Sequence, residues 1–261
     1  MVNTVVEELC LDLTTKYQTD GFYHPLRVLS EEDASKCRED IELVEKNYEP
    51  TIGGKLRHKP HLLLTSLDQA VRNKTILDVV EELIGPDIFV WASLLFIKEP
   101  GDKTYVSLHQ DSTYWGLSDP TVVTVWIALS KANKESGAMQ MVPGSHRLNQ
   151  LDHRETYDKN NLLTRGQEVA ATFDSSNIID IELELGECSL HHVRTIHGSQ
   201  PNISSDRRIG FAIRYIPTSV YQLYGRDSAL LVRGNDEYRN FDHEISPKQN
   251  LSRTAIKRYI N

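Results

Sequence analysis

Cysteine is scarce in this chain: three among 261 residues, at positions 10, 37 and 188, none at metal-knuckle spacing. That excludes a disulfide-stapled scaffold and a thiolate metal site, and leads us to expect reduced thiols in a cytoplasmic protein. Basic charge is in deficit, with 29 Lys and Arg against 37 Asp and Glu for a net charge of −8, so no nucleic-acid partner is expected. Apolar runs fall well short of a membrane span, so no membrane partner is expected either. The start, Met1-Val2-Asn3-Thr4, lacks the basic and apolar pattern of a secretory leader. There is no internal repeat, low-complexity tract or compositional break that would mark a linker, and we expect one domain over residues 1–261.

Two periodicities divide the chain. Residues 1–86 read as helical. Val5, Leu9, Leu11, Leu13 and Tyr17 precede a break at Asp20-Gly21, and Ser30 followed by Glu31, Glu32 and Asp33 is an N-cap with first-turn acids. Behind it Ala34, Cys37, Ile41 and Val44 recur at helical spacing, and Pro50 with Gly53-Gly54 predicts a loop. Residues 76–84 form a short amphipathic helix that stops at Gly85-Pro86. From 87 to 217 the pattern turns to short β-rich runs at 88–97, 122–129, 137–142, 178–183, 189–196 and 209–216, with turn residues between them. A polar excursion at 149–177 has the length of a loop that covers a site, and 218–261 is an extension with no strong period. The expected fold is mainly β with flanking helices: an antiparallel β-roll with helices packed outside it.

The chemistry gathers around His109-Gln110-Asp111. On a strand, residues two apart point to one face, which aims an imidazole and a carboxylate at one point. These are two members of a 2-His-1-carboxylate facial triad, the set that holds non-haem Fe(II) with positions left open. A second imidazole must come from far along the chain. His61, His146, His191, His192 and His197 are the candidates, and we select His197, which ends a strand and has Gly198 beside it to give the backbone room. His191 and His192 read as hydrogen-bonded strand histidines and His146 as a turn residue. Further on, alternation sets Arg208, Gly210, Ala212 and Arg214 on one strand face and Arg207, Ile209, Phe211 and Ile213 on the other. The first face suits a cavity wall on which a buried arginine requires an anion. A guanidinium meets a carboxylate through two parallel hydrogen bonds, and we give that role to Arg208, leaving Arg207 to surface acids.

His109-Gln110-Asp111, Trp126, the Met141-to-His146 segment, and His197 through Asn202 followed by Arg208 together resemble the phytanoyl-CoA dioxygenase family. These are Fe(II)/2-oxoglutarate-dependent oxygenases on a double-stranded β-helix, or jelly-roll. The resemblance runs from about Asp20 to about Asn240 and implies that His109, Asp111 and His197 bind iron. It further implies that Arg208 holds the distal carboxylate of 2-oxoglutarate, that Trp126 lines its pocket and that Ser199 adds a hydrogen bond. Leu94 matches a pocket-lining position, and Lys59 and His61 fall near a segment that reaches the cosubstrate in the family.

The stretch from Gly210 to Pro217 also resembles the freestanding halogenases of the superfamily, which carry a small residue where Asp111 stands. With the carboxylate in place, the resemblance implies hydroxylation of an unactivated C–H of a small molecule in specialised metabolism, using O2 and releasing succinate and CO2. Arg214, Tyr114 and Trp115 are the expected substrate-side residues. The competing readings are another oxidative outcome (halogenation, desaturation or cyclisation) on the same iron site, and a jelly-roll that binds metal or ligand without turnover. Neither the substrate's identity nor the oligomeric state is legible.

Overall fold

The computed structural model describes residues 12–52 and 56–260, with the side chains of 48–52, Thr113, Tyr114 and Ile260 left out. Val5, Leu9, Cys10, Leu11 and the Gly53-Gly54 loop lie outside the described residues. Residues 12–20 form helix α1. It is followed by β1 (Phe22–Arg27), α2 (Glu31–Ile52), α3 (Thr65–Val71) and α4 (Lys74–Ile84). The expected cap and stop are present: the Asp33 amide donates to the Ser30 hydroxyl at 3.0 Å, and the Gly85 amide donates to the Glu81 carbonyl at 2.8 Å at the end of α4. A further cap at the start of α4, the Ile76 amide on the Asn73 side chain at 3.2 Å, was not expected. Helix α2 continues to Ile52, past Pro50. The proline takes one N–H out of the helix ladder close to the end of α2, and the expected loop falls after Ile52.

The β-roll begins with β2 (Ile88–Lys98), β3 (Val106–His109), β4 (Val123–Ala128) and β5 (Met139–Met141). It continues with β6 (His153–Glu155), β7 (Gln167–Val169), β8 (Ile179–Ile181), β9 (Glu187–His192), β10 (His197–Ser199) and β11 (Arg208–Pro217). The closing elements are β12 (Ser228–Arg233), β13 (Asp242–His243) and α5 (Arg253–Ile260). A major sheet runs β1-β9-β4-β11-β2-β12-β13 and a minor one β3-β10-β5-β8, while β6 and β7 form a separate hairpin. This is the β-roll expected from the strand pattern and the jelly-roll that the family resemblance implies. No helix among the described residues is long and apolar enough to cross a membrane.

Two divisions of the chain differ from expectation. β1 lies inside the segment read as helical and pairs with β9 at the sheet edge. Pro25 masks it in the sequence, yet an edge strand accepts a proline because one of its sides needs no ladder bonds. β12 lies in the supposed extension but pairs antiparallel with β2, so the sheet does not end at 217. Its Ser228-to-Arg233 run is too short to announce itself by period.

Each sheet face has its own use. On β11 the side chains of Ile209, Phe211 and Ile213 join Ile41, Val44 and the α3–α4 leucines in the main core, so the outer face of the major sheet packs on the helices. Arg207, on the same side, meets Glu45 of α2 at 2.8 Å and also Glu99, as expected of a surface cation. The inner face, carrying Trp126, Ala212 and Phe22, meets Met139, Met141 and Ile181 of the minor sheet.

Candidate metal centre and active-site cavity

β3 ends at His109, and Asp111 opens a 3-10 turn instead of continuing the strand. Gln110 between them is extended (φ −109°, ψ 141°), so the two side chains still project to one side. His197 opens β10 instead of ending a strand, and the ladder puts it directly opposite His109. A Cβ on Gly198 would lie 2.7 Å from the Val106 carbonyl, so glycine is what lets β10 approach β3 this closely. The three residues selected from sequence thus converge: one donor atom from each of His109, Asp111 and His197 lies within 4.8 Å of the others, and all three side chains are buried.

The histidines are oriented for ligation. Each Nδ1 lies 2.9 Å from a carbonyl oxygen, of Ser107 for His109 and of Thr195 for His197. A carbonyl can only accept, so both Nδ1 atoms carry the proton and both Nε2 lone pairs are free to bind a metal. Burial first, then the neighbouring His109, brings His197 down to about 4 and keeps it neutral at pH 7. Burial pushes the Asp111 carboxyl up, but Arg214, followed by His109 and His197, outweighs it and holds the group far below the usual carboxylate range. Two imidazole nitrogens and one carboxylate suit Fe(II). Gln110 steadies the segment: its amide nitrogen donates to the Asn149 and Arg194 carbonyls, both at 2.8 Å.

A cavity opens from this triad between the sheets, bounded by Phe96, Trp126, Ser199, Arg208, Ala212 and Arg214 among others. Arg208 is 2% exposed, donates to the Gly137 carbonyl at 2.9 Å and stands 5.2 Å from the Trp126 ring, while its Nε has no partner. A buried guanidinium with unspent donors at one end of a cavity fits a carboxylate such as the far end of 2-oxoglutarate. Trp126 can lie across β11 only because residue 210 is glycine: a Cβ there would sit 1.8 Å from its ring. At the other end Arg214 approaches Asp111 to 3.7 Å and stacks 4.3 Å from the Trp115 ring, which in turn packs on Trp91.

The remaining expectations sort themselves by position. Ser199 lines the cavity. Leu94 stands opposite Ala212 on the same sheet face, but Phe96 forms the cavity wall from β2. Tyr114 belongs to the 3-10 turn, and its side chain lies outside the described set. Lys59 and His61 are turned away from the cavity: Lys59 pairs with Glu244 at 2.5 Å, and His61 meets Ser93 at 2.7 Å on the outer sheet face. The excursion at 149–177 contributes no wall to the cavity. It packs behind β3, where the Gln110 amide donates to the His153 ring at 2.9 Å and the Ser107 hydroxyl to the Gln167 carbonyl at 2.6 Å.

Two buried residues, one in the cavity wall and one behind it, escaped the sequence reading. His191, read as a hydrogen-bonded strand histidine, has both ring nitrogens buried without a partner, 3.9 Å from Asp111 at the closest. His192 instead accepts from the Arg194 amide at 3.0 Å. Lys98 closes β2 fully buried, opposite Arg208. A lysine at a strand end reads as a surface residue, so no sequence signal marks it.

The family model described as phytanoyl-CoA dioxygenase matches residues 17–210. A probable alpha-ketoglutarate-dependent hypophosphite dioxygenase of Stutzerimonas stutzeri is 28% identical over 84% of this chain and 84% of its own length. An L-proline trans-4-hydroxylase of Streptomyces griseoviridis is 22% identical, covering 78% of this chain and 85% of that one. Among solved structures, the apo form of the non-haem monooxygenase ThoJ superposes with a TM-score of 0.86 at 32% identity, covering 95% of this chain and 94% of that one.

Proposed function

The chain belongs to the phytanoyl-CoA dioxygenase family, and, taking it as an Fe(II)- and 2-oxoglutarate-dependent oxygenase of that family, we propose that it hydroxylates an unactivated C–H of a small molecule in specialised metabolism. The observation that carries the reading is the triad with its carboxylate intact, at one end of a cavity whose other end holds Arg208. When bound, iron and cosubstrate together supply an oxidant made from O2, with succinate and CO2 as by-products. The chain's part is placement. His109, Asp111 and His197 hold the metal through two imidazole Nε2 atoms and a carboxylate. Arg208 fixes the distal carboxylate of the cosubstrate, with Trp126 against its chain and Ser199 adding a hydrogen bond. Asp111 fills the coordination position that a halide needs, which favours hydroxylation over halogenation.

The substrate meets the Arg214 end. His191, Thr124 and Arg214 stand side by side on β9, β4 and β11, and each keeps a buried polar atom without a partner. A small molecule with an acidic or strongly polar group supplies those partners, while Trp115 shields the guanidinium. The two named relatives are a probable hypophosphite dioxygenase and an L-proline hydroxylase, and hypophosphite and L-proline both carry an oxyanion. We place the reaction in the cytoplasm, consistent with the unpaired thiols of Cys37 and Cys188.

Anaerobic addition of Fe(II) and 2-oxoglutarate tests the reading. The visible charge-transfer band of the chelate is expected with wild type and not with His109→Ala; wild type without a band would sink the oxygenase assignment. Small carboxylic, amino and phosphorus oxyacids are then screened for coupled succinate release, with mass spectrometry for the gain of one oxygen. A gain of chlorine instead would overturn the role given to Asp111.

A further inference from the structure

β2 ends on Lys98, in register with Arg208 across the β2–β11 pair. Both side chains are buried, at 0% and 2% exposure, and among the described residues neither forms a salt bridge. The Lys98 Nζ donates to the Ser199 hydroxyl at 2.7 Å and to the Gln200 carbonyl. Two buried cations side by side without an anion are costly, and the cost is avoided only if one of them gives up its proton or an anion comes to them.

Ser199 lies between this lysine and the cavity, which it lines together with Arg208. A serine hydroxyl has one proton to give and lone pairs to accept with. Because its oxygen already accepts from Lys98, its single proton is left to be donated elsewhere. We propose that Lys98 is a positioning residue for the distal carboxylate of 2-oxoglutarate, acting through Ser199, whose hydroxyl it turns into a donor beside Arg208. The inference rests on the cosubstrate reading given above and adds a proton to it.

The titratable and charged groups around Lys98 are few. Arg208 faces it from β11 and Asp102 from the turn after β2, while Ser199 and Gln200 approach from β10. Glu99, next in sequence, is held by Arg207. Burial first, then repulsion from Arg208, brings Lys98 down to about 6, with Asp102 acting in the opposite sense. A carboxylate bound between the two cations draws the ammonium form back. Below about pH 6 Lys98 is protonated before and after binding, and its attraction is fully present. Above that pH, binding has to take up a proton, so affinity falls as pH rises from the free lysine's pKa toward that of the complex.

Calorimetric titration of 2-oxoglutarate into anaerobic Fe(II)-loaded protein, in two buffers of different ionisation enthalpy at about pH 7.5, counts that proton. Wild type is expected to take up about one proton per cosubstrate, and Lys98→Met none, with affinity about tenfold weaker. In a Ser199→Ala background the same lysine change is expected to cost much less than tenfold, because the two residues act in one chain. Wild type that binds without proton uptake overturns the inference even if Lys98→Met fails to fold. So does a Lys98→Met protein that binds like wild type, and so do losses that multiply independently across the two sites. Wild type that does not bind 2-oxoglutarate at all overturns the cosubstrate reading itself, a separate result.

Discussion

His197 lies directly opposite His109 in the β3–β10 pair, with the ring centroids 4.2 Å apart and each Nδ1 tied to a carbonyl two residues behind it. The ladder thus sets the ligand pair before any metal arrives, and Asp111 joins from the turn at the end of β3. Replacing Asp111 with alanine is expected to abolish the anaerobic charge-transfer band and to lower the melting temperature of the metal-free protein, because Arg214 is left buried without its carboxylate. Visible spectra and a thermal melt on one preparation check both halves.

Arg208→Met is expected to separate binding from stability. The distal carboxylate loses its bidentate partner, so the dissociation constant for 2-oxoglutarate rises by about 100-fold, roughly 3 kcal/mol. The fold loses a buried cation whose one acceptor among the described residues is the Gly137 carbonyl, and its stability is expected to change by less than about 1 kcal/mol. Titration of the cosubstrate and denaturant unfolding of the same variant decide this.

Gly210→Ala adds one methyl group where Trp126 already stands, 1.8 Å from the added carbon. The indole has to leave the sheet face, at a cost of about 1–3 kcal/mol and about 2–4 °C of melting temperature for each. Because Trp126 walls the Arg208 end of the cavity, cosubstrate affinity should fall together with stability. A variant with unchanged melting temperature would show that the indole is free to move.

The pH dependence of stability is expected to include His192, brought down to about 4 by burial first and then by His146. Its folded pKa lies below the unfolded value, so its contribution is fully present above about pH 6.5 and is lost as pH falls through 6.5 toward 4. After allowance for partial exposure the loss is on the order of 2 kcal/mol. Urea unfolding of wild type and His192→Asn at pH values across that window should give a shallower slope for the variant.

Glu244→Gln removes the carboxylate that holds Lys59 at 2.5 Å and faces His61 at 3.7 Å. The expected loss is about 2 kcal/mol of stability, mostly from the half-buried lysine left without its partner. Cosubstrate affinity is expected to stay at the wild-type value, because this cluster lies on the outer face of the sheet. A large change in affinity would return Lys59 and His61 to the active site.

The convergence of His109 with Asp111 and the cavity-facing side of Arg208 could be read from the chain because local geometry governs them. Residues i and i+2 share a side in extended backbone, which brought His109 and Asp111 together and placed Arg208, Gly210, Ala212 and Arg214 on one strand face. The helix cap at Ser30 is equally local. What the sequence could not contain is which strands become neighbours. Pro25 hid β1, because a proline is excluded only from the middle of a sheet and edge status is a tertiary fact. His191 and His192 look alike in sequence, yet one points into the cavity and the other into a backbone amide. Lys98 became a candidate only when β2 was laid beside β11 and its ammonium was found buried against Arg208 and Ser199. Side-chain direction along a strand follows from a period of two, whereas burial and pairing depend on long-range contacts that no local pattern encodes.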